Sequence, residues 1–278
     1  MDEHEVFDEM NRSQLGAEFT ADEVEVRNSE PLPLMRRVEA EYVTMFGTDP
    51  VDRRGWYEPD GWKRISRVLE RLELGGDILD VGTGAGQFVN CLALSGCFNS
   101  VTTADPTRFK KYIELSEAFT RLNRSVVKMG FDDDSFDVVT CMEVLEHLPE
   151  EILLPAIDEL RRVCRGQLII TVPYREPPPI SKTHLRRFED EDLIRLFPSA
   201  RFTILRRPQK PWVLIEELHN GHTPPRLRPL VQELGLHRER LDLLSRENSI
   251  MKNRKSIRAA NWLGHQFRTL VAPIKRSS

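Results

Sequence analysis

Cysteine is scarce in this 278-residue chain: there are four, Cys91, Cys97, Cys141 and Cys164, and none form a C-x-x-C pair. That spacing argues against zinc-ribbon and dithiol motifs, and three of the four sit in apolar contexts that predict buried, reduced thiols. No run of about 18 apolar residues is present, so no transmembrane helix is expected. The N-terminal stretch lacks the charged-then-apolar pattern of a secretory leader, and a cytoplasmic protein is the expectation. The formal net charge is only −4, which gives no global bias toward nucleic acid or membranes. Charge is nevertheless uneven. Residues 1–30 are rich in Asp and Glu, whereas no acid follows Glu247 and Lys252, Arg254, Lys255, Arg258, Arg268, Lys275 and Arg276 come after it.

The acidic stretch 1–30 has too few apolar residues to bury and is expected to be disordered or loosely attached. Residues 31–75 read as a helical cover. Met35, Val38, Tyr42 and Met45 mark one helix, stopped by Gly47 and Pro50, and Ile65, Val68, Leu69 and Leu72 mark a second. Trp56, Tyr57 and Trp62 lie between and are candidates to cover a ligand mouth or to pack in the core. From residue 76 to 222 the pattern alternates. Apolar runs near 78–81, 100–105, 119–122, 136–142 and 167–172 read as strands, with helices expected over 87–95, 108–118 and 187–196. Segments 202–205 and 212–217 follow as an antiparallel hairpin. Such alternation implies an α/β chain with a mostly parallel sheet and ligands at the C-terminal strand ends.

The stretch Asp80-Val81-Gly82-Thr83-Gly84-Ala85-Gly86-Gln87-Phe88 organises the rest. It reads as a strand end, a tight glycine turn and a helix N-terminus. The turn needs φ > 0 and lets a ligand approach bare backbone. Dinucleotide folds use G-x-G-x-x-G, whereas here the glycines alternate and Asp80 precedes them. An acid at that place suits a cationic or amine-bearing ligand better than a pyrophosphate. Asp105 ends the second strand 23 residues after Gly82, where a carboxylate can accept both ribose hydroxyls of a ligand or cap a helix before Pro106.

These residues resemble motif I of the class I S-adenosylmethionine (SAM) methyltransferases, and the resemblance covers roughly residues 60–220. It implies a Rossmann-like, seven-stranded, mostly parallel sheet with helices on both faces and a C-terminal antiparallel hairpin. It further implies SAM as cofactor, held by Asp80, Gly82, Thr83, Gly84, Gly86 and Phe88, by Asp105 and Pro106, and by Met142 and Glu143. The run from Met129 to Val139 resembles the family's LPF-acidic turn-FDVV signature. Gly130 stands where that family usually has proline, and Ser125 takes the slot where it often places an acid on the adenine amine.

The fourth strand runs into Glu143-Val144-Leu145-Glu146-His147. In a helix, Glu143, Glu146 and His147 would lie on one face at i, i+3 and i+4, and His184 belongs to a loop expected over the same pocket. Three uses stay open. Glu143, Glu146, His147 and His184 could hold a divalent cation, Mg²⁺ or Mn²⁺. His147 or His184 could serve as a general base beside Glu146. The group could be structural. The E-x-x-E-H pattern with a distant His is similar to the metal site of plant small-RNA 2′-O-methyltransferases, and also to the ubiquinone-biosynthesis catechol O-methyltransferases.

Residues 223–278 form a basic helical extension in which 249–276 is amphipathic, with Trp262, Leu263, Phe267, Leu270 and Val271 suited to a membrane interface or a protein partner. This stretch resembles tails on bacterial surface-polysaccharide methyltransferases and glycosyltransferases. The expected function is therefore O-methylation of a hydroxyl on a saccharide or glycan precursor by a peripherally tethered enzyme. The alternatives are a soluble O-methyltransferase of a quinone-pathway or natural-product small molecule, and a SAM-binding subunit that recruits partners. RNA is disfavoured, because 60–220 lacks a continuous basic stripe with interleaved aromatics.

Overall fold

The computed structural model describes residues 19–25, 33–47, 59–109, 112–115, 117–206 and 211–219. All of them lie in the first of two compact units, Met1–Val231, and the second, Gln232–Ser278, lies outside the described residues. So do Trp56, Tyr57, the Trp62 side chain and the basic amphipathic tail.

The strands are β1 (Ala21–Glu25), β2 (Asp77–Val81), β3 (Ser100–Ala104), β4 (Thr120–Leu122), β5 (Phe136–Met142), β6 (Cys164–Pro173), β7 (Arg201–Arg206) and β8 (Trp212–Leu218). The helices are α1 (Pro33–Phe46), α2 (Pro59–Leu69), α3 (Gln87–Ser95), α4 (Glu150–Val163) and α5 (Asp190–Leu196). The strands form one eight-stranded sheet in the order β1-β7-β8-β6-β5-β2-β3-β4. Only β8 runs against its neighbours β6 and β7. The mostly parallel sheet with a closing antiparallel hairpin agrees with expectation, except that it has eight strands, not seven.

The extra strand is β1, which comes from the acidic stretch read as loosely attached. Its backbone pairs in parallel with β7 from Ala21↔Phe202 to Glu25↔Arg206. The Phe19 ring, just before it, lies 5.1 Å from Phe202 and 6.1 Å from Tyr174, and Arg206 Nε donates to Glu23 Oε2 at 2.6 Å. Composition missed this strand because the ladder satisfies backbone groups whatever the side chains, and it covers the otherwise open edge of β7.

The central strands are buried on both faces, which is why β5 and β6 read as apolar runs. Amphipathic α4 covers one face with Leu153, Ala156, Ile157, Leu160 and Val163, all buried at helical spacing. Asp137 holds the starts of three strands together. Its Oδ2 accepts the Asp77 amide at 2.8 Å, and both its oxygens accept from Arg165 at 2.6 and 2.7 Å. Helix α5 begins with a reciprocal capping box between Glu189 and Asp192. None of the described helices is long and apolar enough to cross a membrane.

The expected helix over 108–118 does not form among the described residues of that stretch. Asn90, fully buried on α3, captures its backbone instead: Nδ2 donates to the Ile113 carbonyl at 2.9 Å and Oδ1 accepts the Leu115 amide at 2.8 Å. The Ile113 amide turns to the Ala85 carbonyl at 3.3 Å. Groups that a helix would pair internally are spent on the neighbouring turn.

Arg161 joins α4 to β8 and α5. It donates to both Glu217 oxygens at 2.8 and 2.7 Å and to the Leu196 carbonyl at 2.7 Å, and its guanidinium lies 5.4 Å from the centre of the Phe197 ring. Arg161→Met should cost about 1–3 kcal/mol, because Glu217 is left buried without its cation. Adding Glu217→Leu should recover part of that loss. Urea midpoints of the two variants test this, and equal midpoints would show that the pair itself contributes little.

Candidate active site

The two halves of the site lie at the C-terminal ends of β2, β3, β5 and β6. In the first half, the glycine turn leaves β2 with φ of +85° at Gly82, +52° at Gly84 and +94° at Gly86. A side chain at Gly82 would strike Val144 at 2.2 Å, and one at Gly86 would meet the Ile113 carbonyl at 2.8 Å. At Gly84 a side chain would meet nothing within 4 Å, so its backbone borders open space. Helix α3 follows Gly86, which makes no side-chain cap hydrogen bond.

Asp105 closes this turn from β3. Its Oδ2 accepts the Gly84 amide at 3.1 Å, and its Oδ1 accepts the Thr107 amide and hydroxyl at 2.8 and 2.9 Å. No helix follows Pro106 among the described residues, so the helix cap foreseen for Asp105 is instead a turn closed on Thr107. Since a carboxylate offers about four acceptor positions, one remains on Oδ2; a second ribose hydroxyl would have to share Oδ1 with Thr107. Pro106 beside it is exposed. Thr83 is buried and hydrogen-bonded to the Thr103 hydroxyl, and Phe88 packs inside with only 4% exposure.

Asp80 points inward. Its Oδ1 accepts from the Thr140 hydroxyl at 3.0 Å. Burial raises its pKa to about 7; the Thr140 bond opposes this and the Asp105 charge adds to it. Two side chains not singled out in the sequence brace the turn. The buried Tyr42 hydroxyl of α1 donates to the Ala85 carbonyl at 2.6 Å, and Asn90 Nδ2 donates to the Gly86 carbonyl at 2.8 Å. The available signal was an amide inside the otherwise apolar run 88–94. Gly130, with φ +66°, explains the missing proline, whose ring cannot adopt that angle.

The second half differs from expectation. Glu143 is not on a helix face with Glu146 and His147: it has φ +56°, and only a short 3₁₀ turn, Leu145–His147, follows. Its carboxylate is held by Arg64 Nη1 at 2.9 Å and the Thr171 hydroxyl at 3.1 Å. Arg64, another residue the sequence did not flag, also lies 4.8 Å over the Trp212 ring. The structure therefore removes Glu143 from the expected four-residue cluster. Among the described residues, Glu146, His147 and His184 each bring a ligand atom within 4.8 Å of the others.

Glu146 is 1% exposed, and neither of its carboxylate oxygens has a hydrogen-bond partner among the described residues. Burial, and then the Glu143 charge, push its carboxyl well above the usual carboxylate range. His147 Nδ1 lies 2.8 Å from the Thr183 carbonyl, and His184 Nδ1 lies 2.5 Å from Glu176 Oε2. Both Nδ1 atoms face acceptors, which assigns them the protons and leaves each Nε2 with a lone pair.

A family model described as "Methyltransferase domain" matches residues 35–236. The chain belongs to this family. A curated relative, the mitochondrial ubiquinone biosynthesis O-methyltransferase of Schizosaccharomyces pombe, is 27% identical over 174 residues, 53% of this chain and 60% of that one. An uncharacterised protein of Methanocaldococcus jannaschii is 32% identical over 115 residues, 40% of this chain and 48% of its own length. The methyltransferase chain thus spans roughly half the length of these relatives. Among solved structures, the Burkholderia thailandensis 1,6-didemethyltoxoflavin-N1-methyltransferase superposes with a TM-score of 0.49 and 17% identity, covering 70% of this chain and 93% of that one.

The first half fits SAM. Open space borders Gly84 beside the Asp105 carboxylate that accepts its amide, and an acid rather than an arginine stands at the turn, as a sulfonium and an ammonium require.

Asp80 gives this methyltransferase a measurable pH signature. The folded state retains a proton up to about pH 7 that the unfolded chain loses near 3.8, the ordinary value for an aspartate. The stabilisation is complete below that lower value and is lost as pH rises toward 7. Relative to Asp80→Asn, which cannot titrate, the wild type should therefore lose stability between about pH 4 and 7. Urea unfolding across that range measures it; parallel profiles would refute the assignment.

Proposed function

We propose that the chain transfers the methyl group of SAM to a hydroxyl oxygen positioned at Glu146, His147 and His184. The observation that carries this reading is the buried Glu146 carboxylate, unpartnered among the described residues and facing two imidazoles with committed Nδ1 atoms. Burying a carboxylate without partners is costly, and the cost is explained if a cation or a substrate proton completes the group. One carboxylate and two imidazoles fit a divalent cation. With Glu143 withdrawn to Arg64, the set suits Mn²⁺ better than the more oxygen-demanding Mg²⁺. A cation held there would lower the pKa of the acceptor hydroxyl and fix its oxygen.

The chain's own part is positioning. SAM carries an activated methyl on a sulfonium, so the protein needs chiefly to align acceptor oxygen, methyl and sulfur in line. The turn at Gly82, Gly84 and Gly86 and the Asp105 carboxylate hold one end of the cofactor. Thr83, Phe88, Pro106 and Met142 line or support the same crevice. A metal-free variant of the reading has His184, backed by Glu176, take the hydroxyl proton.

For the acceptor we infer an aromatic hydroxyl of a quinone-pathway or similar small molecule, supported by the ubiquinone-biosynthesis relatives. The saccharide acceptor expected earlier depended on the tail, which lies outside the described residues.

Labelled SAM offered with catechols, sugar nucleotides, lipid-linked glycans and RNA tests the assignment; catechols should be methylated. Exhaustive chelation should abolish turnover and Mn²⁺ restore it, and Glu146→Gln should cost at least ~100-fold in kcat/KM, in keeping with the loss of a group acting in the transition state. Turnover that survives both treatments would refute the cation. Asp105→Ala should weaken S-adenosylhomocysteine binding by roughly tenfold or more in calorimetry, the worth of a charge-assisted hydrogen bond. Tight binding with no accepted substrate would favour a SAM-binding subunit.

A further inference from the structure

Glu176 has no part in the expectations above, yet it is 1% exposed, close to the centre just described. It follows β6 in the segment that crosses to the bridge between Tyr174 and Phe188. Its two oxygens serve different partners. Oε2 lies 2.5 Å from His184 Nδ1, and Oε1 accepts the Ser181 amide at 3.2 Å. The His184 amide in turn donates to the Ser181 carbonyl at 3.0 Å, closing a tight turn around the carboxylate.

That turn is fastened to the strand end carrying the other ligands. The Leu185 amide donates to the Glu146 carbonyl at 2.8 Å, and the Thr183 carbonyl accepts from His147 Nδ1 at 2.8 Å. The two imidazole rings therefore meet edge to face with centroids 5.0 Å apart. An ionised carboxylate can only accept, so the imidazole beside it must present Nδ1–H.

We propose that Glu176 is the positioning residue of this centre: its carboxylate fixes the Nδ1–H tautomer of His184, and through the 181–184 turn it also sets His147, so that both bare Nε2 atoms face Glu146. This rests on the reading of Glu146, His147 and His184 as the acceptor-side group. It accounts for a carboxylate that is buried behind His184. Carboxylates behind ligating histidines act in this way, orienting the ring and raising its basicity.

The test uses the full chain with ¹⁵N-labelled histidine, as wild type, Glu176→Gln and Glu176→Ala. Long-range ¹H–¹⁵N spectra of the metal-free protein read the His184 tautomer, and Mn²⁺ titration followed by electron paramagnetic resonance reads affinity. Wild-type His184 should be protonated at Nδ1. Both variants should populate the other tautomer and bind Mn²⁺ about 10–100-fold more weakly. Glu176→Gln, which can still brace Ser181, should keep its melting temperature near the wild-type value. A mere loop brace would give the opposite pattern in that variant, with tautomer and affinity unchanged.

An unchanged tautomer together with Mn²⁺ affinity within twofold in Glu176→Gln would overturn the proposal even if Glu176→Ala fails to fold. If the wild type binds no Mn²⁺, the cation reading falls. The tautomer spectrum then decides Glu176 by itself: a shift in Glu176→Gln upholds positioning and no shift overturns it.

Discussion

The hydrogen bond from the Gly84 amide to Asp105 Oδ2 ties the end of β2 to the end of β3, and the rest of the cofactor half depends on it. A turn with three left-handed glycines at alternating positions has little to hold its shape from within, since glycine gives up the most conformational freedom on folding. Its shape comes from outside. Asp105 holds the front, Tyr42 and Asn90 hold the Ala85 and Gly86 carbonyls behind, and Val144, just past β5, leaves no room for a side chain at Gly82. The braces come from α1, α3, β3 and the residues after β5, so the geometry of one short loop requires most of the domain to be folded.

The acceptor half is governed by a different constraint, the cost of buried charge. Glu143, Glu146 and Glu176 lie near one another at the ends of β5 and β6. They are separated by the way each is answered: Arg64 and Thr171 take Glu143, His184 and Ser181 take Glu176, and Glu146 has no hydrogen-bond partner among the described residues. That division of labour makes Glu146 the place where a ligand gains most by binding.

Much of this was legible in the residue order. Gly82, Gly84 and Gly86 read as a turn with φ > 0, Asp105 stood at the right distance to meet it, and the runs 136–142 and 167–172 read as strands. Glu146, His147 and His184 were singled out on chemistry alone, and the structure brings them together. The failures share a cause. The stretch 108–118 has a helical composition, but Asn90 bonds its backbone from another element. Glu143 has helical spacing to Glu146, but Arg64, 79 positions earlier in the chain, draws it elsewhere. The backbone of β1 pairs with a strand about 180 residues away, whatever its acidic side chains suggest.

Local features were therefore set by the order of residues alone: where the chain must turn, which runs must be buried, and which side chains carry acid, base or ligand chemistry. Those follow from φ preferences, hydrophobic period and side-chain pKa, all properties of a residue and its near neighbours. Tertiary structure decided the pairings. Which carboxylate keeps an arginine, which is braced by an imidazole and which is left open depends on distances of a few ångströms between residues far apart in the chain, and electrostatic and hydrogen-bond energies change steeply over that range.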